Sequence, residues 1–169
     1  MLYEITVPQF TKVLKNLSAC LEKGVAHAKL KGYEPEVLVN ARLAPDQFAL
    51  MRQVQIACDT AKLATSRLSG KDAPKHDDSE KTMAELQTRI QQTLDYLAGF
   101  KDADFQGAAE RRITQPRWEG KWLTGHDFAL NHALPNIYFH VTTAYAILRH
   151  NGVDVGKKDY LGEMPFRQP

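Results

Sequence analysis

The chain has 169 residues, 43% of them apolar and 25% charged, and a formal net charge of +2. That length suits one domain, residues 1–169, with a substantial core, and acids and bases are mixed without the basic block that marks a nucleic-acid arm. Two cysteines are too few for a disulfide framework, the start MLYEITVPQF lacks the basic-then-apolar pattern of a signal peptide, and no run of about 18 apolar residues could span a membrane. These features predict a cytoplasmic protein with neither a nucleic-acid nor a membrane partner, in which Cys20 and Cys58 are small buried thiols.

Four long stretches carry helical period, and strand-like alternation is nearly absent. The first runs from about Pro8 to Lys31, with Val7, Phe10, Leu14, Leu17 and Leu21 as its apolar stripe and Gly32 as its stop. A connection follows over residues 33–44, with one short helical turn at 36–40. The second helix is expected from Pro45 to Gly70, along Leu50, Val54, Ala57, Ala61, Ala64 and Leu68, small enough in places for a close neighbour. GKDAPKHDD is a polar loop in which His76 reads as solvated. The third helix starts between Ser79 and Thr82, where Thr82 and Glu85 stand at capping-box spacing, and continues along Leu86, Ile90, Leu94 and Leu97 to Gly99.

Residues 101–123 are irregular. Their end, ITQPRWEGKWLTG, predicts a short hairpin or extended loop turning at Glu119-Gly120, with Trp118 and Trp122 covering apolar helix ends in preference to stacking on a ligand. The last helical stretch runs from about Thr124, capped by Thr124 or Asp127, to His150 and Gly152. Pro135 inside it predicts a kink or brief break. The tail is expected to lie over the surface, tied by Tyr160, Leu161 or Phe166. Four such helices predict an all-α four-helix bundle, and the longer connections after the first and third leave room for a crossover.

The last helix carries a polar line. At about 100° per residue, His140, Thr143, His150 and His132 all fall within about 40° of Asn136, while most other directions are apolar. A helix apolar nearly all round is buried, so the line needs partners. It is either a closed hydrogen-bond network or the wall of a pocket between helices, and the residues alone weigh the two evenly.

The phrases NARLAPDQF, RQVQIACDTAK and ALPNIYFHVTTAYAILRHNG resemble the DUF1993 family, which is itself similar to the broader DinB/YfiT-like superfamily of four-helix-bundle proteins. The superfamily resemblance implies a three-histidine metal site, one ligand from the second helix and an HxxxH pair from the fourth. Enzymes among those relatives transfer low-molecular-weight thiols or isomerise thiol adducts. Aligning AILRHNG puts His140 at the second HxxxH position, Asn136 at the first, and Gln55 at the second-helix position. One imidazole and two amides make a poor site for zinc or nickel, and Gln55 lies about 140° round from Leu50. His132 is no substitute ligand, since eight residues span about 12 Å of straight helix. No metal or other cofactor is therefore expected.

The leading expectation is a pocket between the second and fourth helices for a small molecule, at a degenerate metal site, lined by Gln55, His132, Asn136, His140 and Thr143. His140, by its ordinary pKa, is the best candidate for proton transfer. The alternative is a non-catalytic structural or interaction protein, such as a homodimer, whose polar line is an internal network.

Overall fold

The computed structural model describes residues 1–168. Four long helices form the bundle: α1 (Leu2–Lys31), α3 (Leu50–Ser69), α4 (Met83–Ala98) and α6 (Leu134–His150); α2 (Glu36–Val39), α5 (Gly125–Phe128) and α7 (Lys157–Leu161) are short. α3 packs against α6 and α4, and α1 packs against the same two from the other side. Chain neighbours α1 and α3 therefore sit diagonally, as do α4 and α6, and each diagonal is crossed by a long connection. Among the described residues no helix is long and apolar enough to cross a membrane.

The expected stripes form the core. Val7, Phe10, Leu14, Leu17 and Leu21 of α1 are buried against Leu50, Val54, Ala57, Ala61 and Leu68 of α3 and Leu86, Ile90 and Leu97 of α4. Two helix starts differ from expectation. α1 begins at Leu2, because Leu2 and Thr6 continue the buried stripe and Pro8 turns its ring to the exposed side, where it removes only one backbone bond. α3 begins at Leu50. Residues 41–49 form a turn held by Leu50 N donating to Ala41 O (2.9 Å) and Gln53 Nε2 donating to Phe48 O (3.0 Å). At α4 the capping box closes, Thr82 Oγ1 accepting from Glu85 N (3.2 Å) and Glu85 Oε2 from Thr82 N (2.9 Å).

The irregular stretch contains the hairpin, β1 (Arg112–Thr114) paired antiparallel with β2 (Trp122–Thr124), reversing through Glu119 and Gly120 at positive φ. Thr124 caps α5 by accepting from Asp127 N (3.1 Å). A Cβ on Gly125 would lie 1.8 Å from Ala108 O, so only glycine lets this corner close. Pro135 produces the expected break as a single π turn, Ala129–Ala133, in which Leu134 N donates five residues back to Ala129 O. The proline has no N–H and its ring crowds the carbonyl of Asn131, and the widened turn accommodates both. Tyr160 ties the tail, its carbonyl accepting from Asn16 Nδ2 (2.9 Å) and its hydroxyl from Thr142 (3.0 Å); Leu161 and Phe166 are exposed.

Cys20 and Cys58 are buried and unpaired, and burial pushes their thiols up to about 11 and about 12. The loop joining α3 to α4 is pinned from beneath. Arg89, in phase with the α4 stripe and buried, donates to Glu80 (2.8 Å), to Asp59 on α3 (2.8 Å) and to Asp78 (3.3 Å). Lys62 joins through Asp59 (3.0 Å), and half-buried His76, contrary to its solvated expectation, lies 3.1 Å from Lys62 and accepts from it through Nδ1.

Removing the central cation leaves carboxylates facing an apolar floor. Arg89→Met is expected to lower unfolding free energy by about 3–5 kcal/mol in urea denaturation. Arg52→Met, which removes a surface pair with Asp78, costs about 1 kcal/mol or less.

Candidate functional site

α3 buries alanines at 57, 61 and 64, and it runs antiparallel to α6 with short polar side chains of the two helices in contact. Asn136 Nδ2 donates to Thr60 Oγ1 (2.7 Å). One turn further along α6, His140 Nδ1 lies 2.7 Å from Gln53 Oε1. Because the Gln53 amide nitrogen is committed to the Phe48 carbonyl, its oxygen faces the ring, so Nδ1 carries the proton and Nε2 keeps the lone pair. Thr143 bonds back to Phe139 O (2.7 Å), within its own helix.

His140 is buried, and burial, then the Arg52 charge, bring its pKa down to about 4. An imidazole that neutral and that committed is not poised for proton transfer near neutral pH, which the ordinary histidine pKa had suggested.

Gln55 does not join these residues. It lies two positions, or about 200°, beyond Gln53 on the helix and is buried on another face, donating to Glu80 Oε2 (2.9 Å) and accepting from Arg52 (3.1 Å) at the edge of the Arg89 cluster. Gln53 faces α6 in its stead. It is three residues after Leu50 and four before Ala57, in phase with both, a signal the sequence does carry. Gln55, Asn136 and His140 thus point at Glu80, Thr60 and Gln53 respectively, whereas one metal ion needs its donors within about 2.0–2.3 Å of a single point. These residues do not fit the superfamily's metal centre, and among the described residues no three His, Cys, Asp or Glu side chains converge as ligands.

A cleft of about 500 Å³ opens on the α3 side of this seam, between α3, the turn at 115–117 and the start of α6. Thr60 and Asn136 line its inner wall, while His140, Thr143 and Gln55 do not reach it. Ile56, Leu63 and Phe128 give it apolar surface; Arg52, Arg67, Gln115, Arg117 and His132 give it polar surface. The π turn delivers His132. Its ring stacks on Phe128 (centroids 5.3 Å apart, 16° between planes) and meets the edge of Trp118 at 5.4 Å. Trp118 thereby supports the cleft wall, and Trp122 lies outside under Arg112. Arg117 donates to His132 Nε2 (2.7 Å), so the proton sits on Nδ1, which is buried with no acceptor in the protein. Burial and the charges of Arg117 and Arg67 hold His132 below the usual histidine pKa. Of these residues, the sequence pattern marked His132 and Asn136; Arg67, Gln115 and Arg117 carry no periodic signal, and only the hairpin brings them together.

The lowered pKa of His140 has a defined sign. The unfolded chain takes up a proton near pH 6.5, whereas the native ring resists until about pH 4. Stability from this group is complete above pH 6.5 and falls as pH drops toward 4, by on the order of 3 kcal/mol. His140→Gln should remove that part of the acid limb in chemical-denaturation curves taken across pH 4–7; an unchanged slope refutes the assignment.

Residues 2–161 match the family model of DUF1993, a domain of unknown function. No curated protein matches the chain. Among solved structures, the crystal structure of a DinB family member protein from Shewanella denitrificans is similar to it at 62% sequence identity with a TM-score of 0.97, covering 100% of this chain and 96% of that one. The family match over residues 2–161 and the similarity to the solved structure agree: the chain belongs to the DUF1993 family and has the helical bundle of a DinB family member.

Proposed function

We propose that the protein binds a small molecule in the cleft between α3 and the π turn that leads into α6, beside the position where the superfamily resemblance puts its metal. The observation that carries this reading is the division of the polar line. Its deeper half, His140 with Gln53, is closed, while Asn136 with Thr60 forms the inner wall of an opening of about 500 Å³. That volume lies in the range of small-molecule sites, and the mix of apolar surface with a few convergent polar groups is their usual composition. Relative to the pocket expected from the residues, this cleft keeps His132 and Asn136, loses Gln55, His140 and Thr143, and gains Arg67, Gln115 and Arg117.

A second reading, a non-catalytic interaction protein that pairs with a second copy of itself, draws support from the other half. The His140–Gln53 bond is a sealed structural contact, and Phe139 at that end, outside the cleft lining, is 57% exposed.

The readings separate in a thermal-shift screen of thiols, phosphates and small organic acids run on the native protein and on Ile56→Trp. Ile56 is partly exposed on the cleft wall, so the larger ring fills the opening while the core stays intact. Stabilising compounds are expected for the native chain and are expected to lose their effect on the variant. Compounds that stabilise both equally, or none that stabilise either while sedimentation reports a dimer, favour the second reading.

A further inference from the structure

We infer that the occupant of this cleft is an organic oxyanion, a carboxylate or phosphate monoester on an apolar stem, gripped between Arg67 of α3 and Arg117 of the hairpin turn; the inference rests on the cleft being a binding site. Charge bookkeeping around the cleft is the first support. Its one carboxylate, Asp59, is already held by Arg89 (2.8 Å) and Lys62 (3.0 Å), and Arg52 is held by Asp78. Arg67 and Arg117 make no ion pair among the described residues. Two guanidiniums from different elements thus line one opening with no counter-charge between them.

The crowding registers on its members. Arg67 is half-buried, and burial, then the Arg117 charge, lower its pKa, while burial, then the charges of Arg117 and Arg67, lower that of His132. Protein groups of like charge are brought together at a cost, and an anion between them removes it.

Behind the guanidiniums, Gln115 Nε2 and His132 Nδ1 are buried donors without a partner in the protein, out of reach from the opening, so contact with a ligand falls to the two arginines. A carboxylate offers about four lone-pair positions and a phosphate more, and the planar guanidinium fork matches both. Ile56 and Leu63, on the same face of α3 as Arg67, and Phe128, stacked on His132, offer a dry surface to a carbon skeleton, which a bare inorganic ion would leave unused. A cationic ligand would meet two fixed positive charges, and a neutral one would leave the guanidiniums unanswered.

The test uses the full chain carrying Trp122→Phe, which leaves Trp118, packed on His132, as the single tryptophan reporter. Phenylacetate and phenyl phosphate are titrated against the isosteric neutral phenylacetamide, following Trp118 fluorescence. Saturable binding of at least one anion is expected, at least about ten-fold tighter than the amide, weakened by added salt and weakened about ten-fold by Arg117→Gln. Arg117 is exposed, so this variant folds; Arg67→Gln should act likewise, with folding checked by circular dichroism. Arg112→Gln removes the same charge outside the cleft and should leave affinity within about two-fold. The acid and phosphate arms tell which head group is preferred. Amide binding equal to acid binding, or an Arg117→Gln affinity no lower than that of Arg112→Gln, overturns the oxyanion assignment and leaves the cleft standing as a site. No response to any probe at millimolar concentration, with Ile56→Trp also without effect in the compound screen, overturns both.

Discussion

The approach of α6 to α3 is the constraint on which the other features depend. α3 carries small buried residues at 57, 61 and 64 and packs closely on α6, so side chains as short as Thr60 and Asn136 can meet at 2.7 Å. A bulkier α3 face would hold α6 away and leave its polar line buried without partners, at a few kcal/mol for each orphaned group. The close approach therefore makes the mostly apolar α6 tolerable with an imidazole, an amide and a hydroxyl on its inner side. It also decides which part of the line is sealed. The turn at 41–49 closes over Gln53 and His140, and the hairpin on the other side of Asn136 leaves the cleft.

Most of the bundle was readable from spacing alone, because burial repeats every three or four residues and little else in this chain competes with that pattern. Leu14, Leu68 and Leu86 are where a wheel puts them. The starts of α1 and α3 were harder, since each depends on a contact outside the helix: the stripe that continues through Leu2 ahead of an outward proline, and the Gln53 amide on the Phe48 carbonyl. The site was half readable. His132 and Asn136 stand out as polar groups on an apolar helix, but the family resemblance points to Gln55, whereas helical phase favours Gln53. Arg67 and Arg117 are 50 residues apart in sequence, on elements whose docking no local pattern encodes. Arg89 was equally visible in principle, in phase with Leu86, Thr93 and Leu97, and a cation inside a core stripe implies that carboxylates come to meet it.

The same residue type has two fates here. Arg89 sits deep in the bundle with its charge matched by three carboxylates and serves to fasten a loop that has no regular structure of its own. Arg67 and Arg117 sit shallow, with water on one side and each other nearby. A buried guanidinium must be answered within the fold, whereas a half-exposed one can await a partner from outside, and this difference in solvation separates structural from ligand-facing arginines better than residue identity does.

The turn at 129–133 takes up one surplus residue between two helical segments without turning either of them. Deleting one residue there would restore ordinary winding; the wider turn already absorbs the extra residue, so the helix on either side would keep its phase while the side chains within the turn, the imidazole among them, change places. Descendants of this fold thus have a route to re-equip the rim of the cleft by length changes of a single amino acid, without renegotiating the core.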